Sequence, residues 1–342
     1  MMHRTSVDEI LQFHSGSITA TINRRLFLRN IALVAAASQL TWLAACRQSP
    51  TLTVAVHPWV GYETLYLARD LNWLPKQILL RDDSTLGESL QALQTGKAEA
   101  ICLTLDEMLR ARAAGVPLGA ALVFDVSAGA DKVLARPEIT TLADLAGKRI
   151  GFDPNALGAL VFGTLLEATG LPASAFIRVD LPPARQLEAW HKKEVDAVVT
   201  YEPMATEFER AGARNLFDSR QIPDTIIDVL AVRRDRPEVL PLVRELVVSH
   251  FRALQHMRTN QQDSLYRIAA REELTPEETR VMLAGVTLPS LAANHAYLLG
   301  ADARLLSAAR RISALMVRLG MLAREDSLEQ LIIPDTLPGN EG

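Results

Sequence analysis

The run Ala98-Glu99-Ala100-Ile101-Cys102-Leu103-Thr104-Leu105-Asp106-Glu107 passes from an apolar β-type segment straight into the start of a helix. Thr104 and Glu107 stand three apart, the spacing of a capping box in which each side chain bonds the other residue's backbone N–H. A strand (Ala98–Thr104) that ends on a capped helix is the repeating unit of an α/β fold. Gly115 and Pro117 close that helix, and Leu118–Phe124 reads as the next strand. Upstream lie a strand at Leu52–Val56 and a helix carrying Tyr62, Leu65, Tyr66 and Trp73 at helical spacing. A strand at Ile78–Leu80 follows, then a helix at Glu88–Thr95 closed by Gly96, a residue suited to the left-handed turn after a helix end.

A polar passage, Asp125–Asp131, separates this series from a second one. Its strands are Lys148–Phe152, Ile177–Asp180, Asp196–Thr200 and Asn215–Phe217, and Gly147, Gly170 and Gly212 fall where helices stop. Ile226–Val232 is one more strand. Beyond it the pattern is helical, with Leu240, Val243, Leu246, Val247 and Phe251 on one stripe. One α/β series, a second, and a helical tail fit two lobes joined by two crossings, with the tail returning to the first lobe. No internal repeat is evident.

The chain has 342 residues, of which 49% are apolar, enough for one or two sizeable cores. No run of eighteen apolar residues marks a membrane span. The formal charge of −4 and the absence of a Lys- or Arg-rich block argue against nucleic acid as a partner.

The first 45 residues read as an export signal rather than as fold. Asn23-Arg24-Arg25-Leu26-Phe27-Leu28-Arg29 precedes a mildly apolar stretch, Ile31 to Ala45, interrupted by Ser38, Gln39 and Thr41. It resembles a twin-arginine signal. Leu43-Ala44-Ala45-Cys46 resembles a lipobox, which makes Cys46 the expected lipid attachment site and first mature residue. Removing four arginines, Asp8 and Glu9 leaves 32 basic and 38 acidic residues, a net charge of −6. Cys102 is then without a partner, so neither a disulfide framework nor a cysteine metal site is expected.

Five landmarks in order carry a family resemblance. They are Val56-His57-Pro58-Trp59-Val60-Gly61-Tyr62, Gly129-Ala130-Asp131, Thr141-Leu142-Ala143-Asp144-Leu145-Ala146-Gly147-Lys148-Arg149-Ile150-Gly151, Asp196-Ala197-Val198-Val199-Thr200-Tyr201-Glu202-Pro203, and Asp228-Val229-Leu230-Ala231-Val232. Together they resemble the nitrate/sulfonate/taurine solute-binding family of ABC importers. The resemblance implies a type II periplasmic-binding fold: two α/β lobes, a hinge and a central ligand cleft. Lobe 1 is expected at 46–126 plus 226–342 and lobe 2 at 127–225, with crossings near Asp125–Gly129 and Pro223–Ile226. It further implies a small-molecule ligand, permease and ATPase partners, a periplasmic location at the membrane, and a monomer. No cofactor or metal is expected.

In open α/β sheets ligands sit beyond the carboxyl ends of strands, where helix N-termini present N–H groups. That rule and the resemblance select the same loops: His57–Tyr62, Thr104–Asp106, Asp153–Gly158 and Tyr201–Glu202. The candidate ligand residues are Trp59, Tyr62, Thr104, Asp106, Asn155, Ala156, Tyr201 and Glu202, with Ser127 and Asp131 at the crossing, and Asp228. Trp59 and Tyr62 offer flat walls or lobe packing. Asp106 faces the cleft or complements a helix dipole. The Asn155 and Ala156 amides hold an anion or only solvate. Glu202 clamps a ligand or caps the helix that Pro203 begins; Asp131 and Asp228 bind ligand or join the lobes. These loops hold Asp106, Asp131, Asp153, Glu202 and Asp228 against His57 alone as a possible cation. That balance favours an amine, a zwitterion or a pyrimidine-like heterocycle over a plain inorganic anion.

Enzyme motifs are missing: there is no G-x-S-x-G elbow, Walker loop, H-E-x-x-H or dinucleotide fingerprint. A sensory module of the same fold acting on a membrane signalling partner is the alternative to transport. A relative that makes thiamine pyrimidine is less favoured, since its cysteine-rich segment has no counterpart here.

Overall fold

The computed structural model of the chain describes residues 50–154 and 157–339. Arg24, Arg25, Cys46, Asn155 and Ala156 lie outside the described residues.

Four strands come first, β1 (Leu52–Val56), β2 (Ile78–Asp82), β3 (Ala100–Thr104) and β4 (Leu118–Ser127), with helices α1 (Glu63–Asp70), α2 (Leu86–Gln94) and α3 (Leu105–Ala113) between them. Next come β5 (Asp131–Ala135), β6 (Arg149–Phe152), β7 (Ile177–Asp180), β8 (Ala197–Tyr201) and β9 (Arg214–Asp218). Helices α4 (Leu157–Thr169), α5 (Pro183–His191) and α6 (Met204–Arg210) connect this group. The chain returns through β10 (Ile227–Arg233), α7 (Leu240–Thr259), α8 (Gln261–Glu272), α9 (Pro276–Leu283), β11 (Val286–Thr287), α10 (Leu291–Leu298) and α11 (Arg304–Arg318).

The strands form two sheets, ordered β11-β4-β10-β3-β1-β2 and β7-β6-β8-β5-β9. In the first, β1 runs parallel to β2 and β3, while β10 is antiparallel to β3 and β4. In the second, β6 runs parallel to β7 and β8, while β5 is antiparallel to β8 and β9. The sheets are therefore mixed. The chain passes between them at residues 128–130 and 219–226.

The first sheet's central strands are buried along their length because helices cover both faces. One face packs Leu52, Val54 and Val56 against the α7 stripe of Leu242, Val243, Leu246 and Val247. On the other, Ile101 and Leu103 meet Met108 and Leu109 of α3 and Leu305 and Ile312 of α11. Burying each such Leu, Ile or Val is worth roughly 1.5–3 kcal/mol. The end of α11 also reaches the helix of the second sheet. A Cβ on Gly163 of α4 would lie 2.1 Å from Leu319 Cδ1, and Arg318 pairs with Glu167 at 3.0 Å. The tail thus touches both halves rather than only the first.

Two differences from the sequence reading bear on the site. The polar passage Asp125–Asp131 is mostly sheet, since β4 continues to Ser127 and β5 starts at Asp131. Strand β5 has no sequence signature because it opens on Asp131-Lys132. It is buried all the same, with Lys132 Nζ paired to Glu202 at 2.8 Å and to Glu209 at 2.9 Å.

Candidate functional site

A cavity of about 570 Å³ opens where the carboxyl ends of the parallel strands of both sheets face each other. From the first sheet come His57, Pro58 and Trp59 after β1, and Thr104 at the end of β3. From the second come Asp153 after β6 and Thr200 and Tyr201 at the end of β8. The antiparallel strands contribute their beginnings instead: Asp131 is the first residue of β5 and Asp228 the second of β10. The register sets Asp228 beside Thr104 and Asp125, and Asp131 beside Tyr201.

The aromatic pair Trp59 and Tyr201 joins the two halves, ring edge to face, with centroids 5.8 Å apart. Trp59 is held by its indole Nε1, which donates to Asp125 Oδ2 at 3.0 Å. Gly61 leaves room for that carboxylate, since a Cβ there would sit 1.7 Å from Asp125 Oδ2. Behind Asp228, the hydroxyl of Tyr62 donates to its Oδ1.

Glu107 holds both halves at once. Its Oε2 accepts from Thr104 N at 3.0 Å, closing the start of α3, and its Oε1 accepts from Leu157 N at 3.2 Å, the first residue of α4.

The electrostatics are one-sided. Glu107, Asp131, Asp153 and Asp228 line the cavity; no Lys or Arg does among the described residues. Burial pushes the Glu107 carboxyl up to about 8, with the neighbouring Asp106 adding to it. Burial pushes Asp125 up to about 8 and Asp131 up to about 7, and raises Asp228 well above the carboxylate range with help from Asp125. Desolvation takes His57 down to about 4, so it is neutral at pH 7 and supplies no cation. Asp131 Oδ2 and Asp228 Oδ2 are buried without a hydrogen-bond partner among the described residues.

Of the residues selected from sequence, Trp59, Thr104, Asp131, Tyr201 and Asp228 line the cavity. Four described ones do not. Tyr62 is wholly buried behind Asp228, packed edge-on against Phe124. Asp106 turns back to accept from Thr104 Oγ1 at 2.6 Å. Ser127 bonds Ser219 at 2.7 Å and lines a separate hollow of about 390 Å³ with Arg220, Asp224 and Tyr297. Glu202 serves as a cap rather than a clamp: its Oε2 accepts from Thr206 N at 3.0 Å and Thr206 Oγ1 at 2.8 Å, while Oε1 takes Lys132. Both its oxygens are spent inside the fold.

The sequence reading missed Glu107, whose capping spacing hid its second partner fifty residues on. It also missed Ser84–Gly87 after β2 and Pro182–Ala184 after β7, which face the cavity. The strand-end rule selects both places when it is applied to every parallel strand.

No group of metal-ligating residues occurs among the described residues, and Cys102 is buried with its thiol pushed up by desolvation. The arrangement suits holding a small molecule. About 570 Å³ lies within the ordinary range of ligand pockets, roughly 300–1,000 Å³.

Residues 74–263 match the family model described as NMT1/THI5 like. No curated protein sequence matches the chain. Among solved structures, the alkanesulfonate-binding protein SsuA from Xanthomonas axonopodis pv. citri, bound to MOPS, aligns with a TM-score of 0.71 at 19% identity, over 84% of this chain and 99% of that one. The periplasmic aliphatic sulphonate binding protein SsuA from Escherichia coli aligns at 0.69 and 19%, over 83% and 98%. The desulfurization enzyme DSZB aligns at 0.60 and 18%, over 83% and 97%. At these identities the likeness is one of fold, that of the periplasmic binding proteins.

Proposed function

Because the chain belongs to the NMT1/THI5-like family and has the periplasmic-binding-protein fold, we propose that it is an extracytoplasmic solute-binding protein. In this reading it captures a small polar organic molecule between two lobes and delivers it to the permease and ATPase of an ABC importer. Cys46 holds it to the membrane by a lipid after export through the Arg24-Arg25 signal. It does no chemistry of its own, in contrast to the desulfurization enzyme that shares the fold.

One observation carries the reading: the cavity is built from the strand ends of both sheets, and Trp59 and Tyr201 meet across it. A molecule bound there touches both halves and therefore favours the form in which they are close. Importer subunits can read that form, because it differs from the open one in the relation of the two surfaces they dock on.

A thermal-shift screen of the purified chain tests the proposal. A ligand that binds only the folded state stabilises it by about 2.7 kcal/mol at a hundred times its Kd. Amines, amino acids, sulfonates and heterocycles form the panel. A saturable rise in Tm with one chemical class supports the reading, and a flat response to every class counts against it.

A further inference from the structure

Resting on the solute-binding reading, we propose that the cavity takes an organic cation, with an ammonium head between Asp131 and Asp228 and an apolar or aromatic body against Trp59 and Tyr201.

The first support is the state of the two aspartates. Both line the cavity, both are 2% exposed, and each keeps a buried oxygen without a partner among the described residues. An unpaired buried carboxylate is costly, by several kcal/mol if ionised, and it relaxes only by taking up a proton or a cation. Asp131 belongs to the second sheet and Asp228 to the first. One ammonium shared by both satisfies the two oxygens and ties the halves together.

The second support is that several of the anion-seeking features are already served from within. Five helices, α2 to α6, have first-turn or cap residues on the cavity wall, and such N-termini ordinarily favour anions. In α3 and α4 the Glu107 carboxylate takes the amides of Thr104 and Leu157. In α6 the Glu202 carboxylate takes Thr206 N. At α2 the Thr85 hydroxyl accepts from Glu88 N at 3.2 Å, and α5 begins at Pro183, which has no N–H. At the starts of α3, α4 and α6 the chain's own carboxylates already accept an amide that a sulfonate or nitrate could otherwise take.

No Lys or Arg among the described residues reaches the cavity wall either. Lys132, behind the wall, is engaged by Glu202 and Glu209. Arg110, one turn beyond Asp106, keeps a buried Nη1 without a partner among the described residues but does not line the cavity. Asn155 and Ala156, which lie outside the described residues, are not basic.

The rest of the wall sets the body of the ligand. Leu86, Leu90, Leu157, Val161 and Val199 are aliphatic, and Trp59 and Tyr201 present aromatic rings, which attract an ammonium by cation–π contact. A bare metal ion fills neither the volume nor that wall.

Isothermal titration of the purified chain with three matched series tests this: alkyl- and arylalkyl-ammonium ions, the corresponding alcohols, and the corresponding sulfonates. We expect the best ammonium to bind at least tenfold tighter than its alcohol and its sulfonate. Asp131→Asn should weaken the ammonium at least tenfold and leave the alcohol within about twofold, which separates loss of charge from loss of the cavity. Tighter binding of a sulfonate overturns the charge assignment and leaves the solute-binding reading standing. Failure of all three series to bind overturns both.

Discussion

Trp59 donates its indole N–H to Asp125 at 3.0 Å, and that bond fixes the ring that closes the cavity against Tyr201. Asp125 is wholly buried and its other oxygen has no partner among the described residues, so the indole is its main support. The wall residue and the buried acid hold each other in place.

Gly61 is the position that protects this pair. A Cβ there would lie 1.7 Å from Asp125 Oδ2, with Trp59 Nε1 at 2.6 Å. Gly61→Ala is expected to cost about 1–3 kcal/mol, the usual range for overpacking, and to lower affinity for any bound solute. A denaturant melt and a titration on the same variant check it; an unchanged melt would show that the acid relocates freely.

Glu107 joins α3 to the start of α4. Glu107→Ala removes a helix-start bond worth about 1 kcal/mol and the tie between the halves. The unliganded variant should have a larger radius of gyration by small-angle X-ray scattering. An unaltered scattering curve means that Glu107 does not hold the closed arrangement.

Stability should depend on pH in two opposite ways. Asp131 at about 7, and Asp125 and Glu107 at about 8, lie above their ordinary values near 4. Their contribution is full below about pH 4 and is lost as pH rises through 7 to 8. The groups facing them are Asp106 and Glu202 at Asp131, Asp131 at Asp125, Asp106 at Glu107, and Asp228 at all three, with Lys132 already paired to Glu202. His57 at about 4 and His250 at about 3 act in the opposite sense. Their contribution is present above about 6.5 and lost as pH falls through their folded values. The unliganded Tm should thus decline from pH 6 to 9, and Asp125→Asn should flatten that decline. A Tm that climbs over this range contradicts the assignment.

The anchoring proposal has its own check. Cys46→Ser should move the exported protein from the membrane to the soluble fraction, as read by fractionation and immunoblot. Retention of the variant in the membrane removes Cys46 from that role.

The strand at Leu52–Val56 was legible because burial left an almost unbroken apolar run; its limits agree with the structure, as do those of the mostly exposed edge strand at Ile177–Asp180. Strand β5 was not, because Asp131 and Lys132 are buried through partners distant in sequence, and local patterning carries no trace of them. The same cause limited the site. Trp59, Thr104 and Tyr201 stand at the carboxyl ends of strands, a position readable from order alone, whereas Asp131 was selected at the crossing and Asp228 stands near the start of an antiparallel strand. Glu202 and Asp106 stand at carboxyl ends too, yet their carboxylates turn back to Thr206 and Thr104, a choice fixed by rotamer and local hydrogen bonding. The doubled role of Glu107 depends on Leu157 from the other half, which only the assembled fold brings near.

A crystal structure of the chain with the strongest binder from the thermal-shift screen tests the central claim most directly. The account predicts one small molecule between Trp59 and Tyr201, touching residues of both sheets, with its cationic group within hydrogen-bond distance of Asp131 and Asp228. Density for the molecule elsewhere on the protein, with this cavity empty, would contradict it.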